Sequence, residues 1–128
     1  MNFRNLATVA IVLCVALTLA WLCASQPLLA SWGVAFSPVA ALLGRRAAAL
    51  FAGIGAMFYL ARNEPPSKAR NAIAGGFGVA CLALACLGTA EFMLGHAGWG
   101  ILTAAAGEIG LAAGFLYVAL MPVKPVRA

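Results

Sequence analysis

Leu6 to Ala24 reads LATVAIVLCVALTLAWLCA, 19 residues without a charged side chain. At ~1.5 Å per residue such a helix reaches about 28 Å, close to the ~30 Å thickness of a bilayer's hydrocarbon core. Arg4 lies ahead of it and Pro27, which cannot continue the helix, lies beyond it. A basic start followed by an apolar run is also the layout of a secretory leader, with Leu22-Cys23-Ala24-Ser25 near a cleavage point. The run is longer than a leader's usual apolar core, so a retained first helix is expected.

The rest of the chain repeats the pattern. Val34 to Ala61 is apolar except for Arg45 and Arg46, Ala72 to Leu94 has Glu91 as its one charge, and Ile101 to Met121 has Glu108. Over 128 residues, 65% are hydrophobic and 9% charged, a balance that belongs in lipid and leaves no soluble domain over. The expectation is an all-α integral membrane four-helix bundle, up-down-up-down, one transmembrane domain over residues 1–128. Its helices fall at about 6–24, 34–61, 72–94 and 101–121.

The second helix has two competing layouts. One is a single long tilted helix; the other puts a short outer segment at 34–43 ahead of a crossing helix from about Gly44, with a break near 38–44. The second explains more, since Pro38 suits the start of a helix or a break and Arg45 and Arg46 then fall near the outer end of the crossing portion. Ser25 to Gly33 reads as an uncharged connector. Arg62 to Asn71 is the one polar loop of any size, in which Pro65 and Pro66 end the second helix and Ser67 is placed to cap the third. Gly95 to Gly100 is short enough to require an antiparallel hairpin, and Pro122 and Pro125 stop the fourth helix before Lys124 and Arg127.

Basic residues cluster at Arg4, at Arg62, Lys68 and Arg70, and at Lys124 and Arg127, whereas the other two connectors carry none. By the positive-inside rule both termini and the middle loop are cytoplasmic, giving a multi-pass protein of a bacterial inner membrane. Trp21, Trp32 and Trp99 fall toward the opposite face, as an interfacial aromatic belt would. The net charge of +5 is spread over these points, with no basic helix face and no interleaved aromatics, so no nucleic acid is expected as a partner.

The stretch Leu43-Gly44-Arg45-Arg46-Ala47 sets two guanidinium groups in an apolar run, where an arginine keeps its charge and must find water, headgroups or a carboxylate. Counting ~1.5 Å per residue from the basic ends puts Arg45 and Arg46 at about 25 Å, Glu108 at about 24 Å and Glu91 at roughly 31 Å. A cluster of Arg45, Arg46, Glu91 and Glu108 is therefore allowed in depth, and a bidentate arginine–carboxylate contact would relieve both charges. It reads either as a clamp that fixes helix packing, as a solute or proton site, or as arginines snorkelling to the headgroups. Close helix approach is expected at Gly107, Gly110 and Gly114 of the fourth helix, with Gly110 and Gly114 in a G-x-x-x-G spacing.

Catalytic groups are sparse. The chain has no aspartate and one histidine, His96, which reads as a turn residue in water. No metal site and no cofactor is expected, since a haem held by two histidines lacks its second ligand and a zinc or copper site would have to recruit Cys23, Cys86 or Met93. Cys14 with Cys81, and Cys23 with Cys86, share layers by the same count but form no C-x-x-C motif, and all four read first as small hydrophobes. Gly75-Gly76-Phe77-Gly78 follows no strand and is no phosphate loop. No enzyme activity is expected.

Gly44-Arg45-Arg46-Ala47, Phe58-Tyr59-Leu60-Ala61-Arg62, Ser67-Lys68-Ala69-Arg70, Glu91 and Glu108 together resemble a group of small four-helix bacterial membrane proteins of uncharacterised function. The likeness covers residues 35–120 and implies a four-helix fold without implying an activity. Small multidrug exporters agree in length and helix count, but their acidic residue lies in the first helix, where this chain has none. Two functions follow as expectations. One is a structural or accessory subunit that meets the bilayer and a membrane-protein partner or a second copy. The other is a small-solute or proton-coupled transporter using Arg45, Arg46 and Glu108.

Overall fold

A computed structural model describes residues 2–122, and these form five helices. They are α1 (Phe3–Cys23), α2 (Ser25–Ser31), α3 (Pro38–Ala61), α4 (Lys68–Met93) and α5 (Gly100–Ala119). All but α2 are long and apolar enough to cross a membrane. The four run up, down, up and down, so the chain is an all-α membrane bundle. Lys124 and Arg127 of the expected basic tail lie outside the described residues.

Helix boundaries follow from caps. Asn2 accepts from the Arg4 amide at 3.4 Å and starts α1 at Phe3. Ser67 is the N-cap of α4, accepting from the Arg70 amide at 3.1 Å, which starts the helix four residues ahead of the expected Ala72. Ser37 does the same for α3, accepting from the Ala40 amide at 3.0 Å with Pro38 in the first turn. The break expected near 38–44 is therefore absent: α3 is continuous through Gly44, and the chain is non-helical just upstream, at 34–37, with Ser37 extended. Proline at the first helical position lacks only a donor that would be unpaired there, so Pro38 starts the helix without breaking it. The connector before it contains α2, a seven-residue helix with Pro27 in its first turn and Leu29 buried.

The bundle is two antiparallel hairpins, α1 with α3 and α4 with α5. Lipid tails are as apolar as leucine, so packing between membrane helices depends on shape, and small residues allow the closest approach. The seams are built that way: Ala7, Ala10 and Cys14 on α1, Ala41, Gly44, Ala48 and Gly55 on α3, Ala74, Gly78, Cys81 and Ala85 on α4, and Ala105 and Ala112 on α5 are buried. Thr18 ties α1 to α3, its hydroxyl donating to Cys14 O at 2.7 Å and approaching Ala48 O at 3.3 Å.

The hairpins join at their two ends. At the end bearing Arg4, Arg62, Lys68 and Arg70, the rings of Phe3, Phe58, Phe77 and Phe115 pack together, the tightest pair being Phe58 and Phe77 with centroids 4.8 Å apart. Each such aromatic pair adds about 0.5–1.5 kcal/mol beyond its contact area. At the tryptophan end, Gly98 N–H donates to Trp32 O at 2.6 Å, and Gly100 sits so close under the Ser31 carbonyl that no side chain fits. Gly33, with φ +69°, turns the chain against Gly98 at this joint.

Candidate functional site

The charged residues remote from the basic end are Arg45, Arg46, Glu91 and Glu108, and the structure sets them on three different surfaces. On α3 the seam residue Gly44 faces α1, with the Trp21 indole lying against it. At about 100° per residue, Arg45 and Arg46 then turn away from that seam. Both are exposed. Arg46 falls in an outward row with Val39, Leu43, Leu50 and Leu60, all exposed.

Glu108 lies on the opposite kind of surface. It shares a face of α5 with Leu111, Phe115 and Val118, the face that meets the first hairpin through the phenylalanine cluster. Two turns above Phe115 it is half-buried. All four cysteines are free; Cys14 and Cys81 are buried, Cys23 and Cys86 exposed.

Glu91 finds a partner that the sequence reading did not give it. Helix α4 ends at Met93, and Gly95 takes the left-handed conformation, φ +76°. His96 N–H then donates to Glu91 O at 3.0 Å and Gly95 N–H to Phe92 O at 3.1 Å. This pair of reversed bonds is the Schellman ending, and it folds His96 back beside Glu91. The Nδ1 of His96 is 2.8 Å from Glu91 Oε2, so the turn histidine is paired rather than simply solvated, although its side chain stays two-thirds exposed (66%). The recoverable signal was the order Glu91, Gly95, His96, an acid four residues ahead of a helix-ending glycine and five ahead of a histidine.

The expected Arg45, Arg46, Glu91 and Glu108 cluster does not form. Among the described residues the His96–Glu91 hydrogen bond is the one close contact between a basic and an acidic side chain, and neither arginine lies within 4.0 Å of a carboxylate. Depth counting gave comparable heights, but pairing also requires the side chains to share a direction. The small seam residues rotate the arginines outward while Phe115 rotates Glu108 inward.

Glycine placement also differs. Gly114 is buried, but Gly107 and Gly110 are exposed, and a Cβ added at either would meet nothing within 4 Å. The glycines that hold helices together are others: Gly44 under Trp21, Gly78 against Leu116, Gly55 against Cys14 and Gly100 under Ser31. Among the described residues no three His, Cys, Asp or Glu side chains are grouped as metal ligands would be.

The chain matches no protein-family model, no curated protein and no solved structure. Its chemistry is what its own residues provide: two outward guanidinium groups, an inward carboxylate, two buried thiols, and an open glycine face on α5.

Proposed function

We propose that this protein is a small structural or accessory subunit of a bacterial inner membrane, akin to the four-helix membrane proteins it resembles. Its basic end, with Arg4, Arg62, Lys68 and Arg70, faces the cytoplasm, in accord with the positive-inside rule. The observation that carries this reading is the open surface at Gly107 and Gly110. Glycine inside a helix costs about 1 kcal/mol relative to alanine unless close approach of a neighbour offsets it. Inside the chain that offset is visible at Gly44, Gly78 and Gly100. Gly53 and Gly76 are as open as Gly107 and Gly110, but the latter two lie one turn apart on a single face of α5, where a helix of another chain would supply the offset for both. Two grooves on the bundle, about 200 Å³ along Thr18 and Phe51 and about 330 Å³ along Cys86 and Ile109, are open and lined almost wholly by apolar groups, a poor lining for a polar solute.

The test is native gel mass and cross-linking of the tagged protein solubilised from its own membranes in mild detergent. Wild type is expected in a stoichiometric complex, and Gly107→Leu with Gly110→Leu is expected to release it as a single folded chain. A wild type that is already a single chain, or a double variant that keeps its complex, overturns the proposal.

A transporter reading has one observation in its favour, the half-buried Glu108 with no cation within 4.0 Å among the described residues. It requires flux in liposomes that Glu108→Gln abolishes.

A further inference from the structure

The outward placement of Arg45 and Arg46 carries an inference independent of any partner on α5. Helix α3, at 24 residues, is about 36 Å long and overhangs a ~30 Å hydrocarbon core by a few ångströms at each end. Arg45 and Arg46 are seven and eight residues from Pro38, so with α3 centred on the core their backbones lie about 8 Å inside it on the tryptophan side. Both side chains are exposed and neither has a carboxylate within 4.0 Å among the described residues. A guanidinium at this depth keeps its charge and satisfies it by reaching up to an acceptor at the interface.

The surroundings identify the acceptor. A protein helix packing closely here would meet small side chains, as along the seams. Instead, Arg46 is bracketed by Leu43, 61% exposed, and Leu50, 71% exposed, with Leu42 and Val39 above. These branched side chains make a surface for acyl chains. Trp21, packed against Gly44 just inside the arginines, and Trp32, edge-on to it with centroids 5.8 Å apart, place amphipathic rings at the same end of the molecule.

We propose that Arg45 and Arg46 form a binding site for the phosphate of a glycerophospholipid in the leaflet at the tryptophan end, whose acyl chain lies along Leu43 and Leu50. The planar guanidinium forks donate to the phosphate oxygens, a geometry that lysine cannot reproduce. The leucines supply the part of the site that distinguishes a lipid from free phosphate.

Native mass spectrometry of the full chain tests this. The protein is delipidated in uncharged detergent and titrated separately with dioleoylphosphatidylglycerol, dioleoylphosphatidylcholine, dioleoylglycerol and inorganic phosphate. Both phospholipids are expected to give a saturable one-to-one adduct, with dioleoylglycerol and inorganic phosphate giving none. Arg45→Gln with Arg46→Gln is expected to weaken the adduct roughly ten-fold or more, as loss of hydrogen bonds to a charged group implies. Arg45→Lys with Arg46→Lys, which keeps the charge and protects against a merely unfolded variant, is expected to fall between. Arg62→Gln, at the other end, is expected to bind as wild type. Equal binding of dioleoylglycerol, an equal response to inorganic phosphate, or unchanged phospholipid binding by the double glutamine variant overturns the site. So does a protein carboxylate that cross-links to Arg46 in native membranes in place of lipid.

Discussion

The Trp21 indole lies against the bare Cα of Gly44, filling the space that any side chain at position 44 would need. The contact joins α1 to α3 one residue ahead of the two arginines, so the rotation of α3 that turns Arg45 and Arg46 outward is held by this glycine. The Trp21 ring also meets Trp32 edge-on and links the seam to the α2 end.

Gly44→Ala is expected to force the indole aside and destabilise the bundle by about 1–3 kcal/mol, the usual cost of overpacking. Gly53→Ala on the same helix meets no atom within 4 Å and is expected to be neutral or stabilising by up to about 1 kcal/mol. Thermal unfolding in detergent compares them, and similar losses for both would remove the role given to Trp21.

Phe58 is fully buried and touches Phe3, Phe77 and Phe115, so it links the two hairpins. Phe58→Ala is expected to cost about 3–5 kcal/mol. Because the joint at Trp32 and Gly98 remains, the loss should be concentrated at the basic end, read as faster hydrogen exchange of the first turns of α1 and α4 than of the 94–99 turn.

For the α4 ending the backbone outweighs the contact between the His96 and Glu91 side chains. Glu91→Gln or His96→Ala removes an exposed contact and is expected to cost no more than about 1 kcal/mol. Gly95→Ala places a side chain at φ +76° and is expected to cost about 1–2 kcal/mol in addition to loosening the two reversed hydrogen bonds. Equilibrium unfolding of the three variants gives the order, and a larger loss for Glu91→Gln would reverse it.

Charge exchange tests the separation of the intramembrane charges. Since no cation lies near Glu108 among the described residues, Glu108→Gln is expected to leave accumulation in membranes unchanged or raised. Combining Arg46→Glu with Glu108→Arg should fail to restore what Arg46→Glu alone loses. Recovery in the double variant would mean that the two positions do meet.

Much of the fold was legible because it depends on properties that local sequence carries. A helix from Leu6, another reaching Ala61 and the hairpin at Gly95 follow from apolar length and from breakers, since a backbone in lipid must bond within itself. The cap at Ser67 is likewise local chemistry. Helix α2 was missed because a seven-residue amphipathic turn is too short to show a period, and it is held by tertiary burial of Leu29. The break expected near 38–44 rested on Pro38, which suits either a helix start or a break, and on setting Arg45 and Arg46 near the outer end of the crossing portion; Pro38 starts the helix and Gly44 receives Trp21.

The sequence by itself determined that the chain carries four helices long and apolar enough to cross a membrane, and it allowed the height of each charge to be counted, because both depend on residue counts along one axis. Only the tertiary structure decided which way those charges point. Rotation about a helix axis is set by which small residues interlock with a neighbour, as Gly44 does with Trp21 and Gly78 with Leu116. That rotation sent Arg46 out from the bundle, left Glu108 facing the first hairpin, and opened Gly107 and Gly110 to whatever lies beside the bundle.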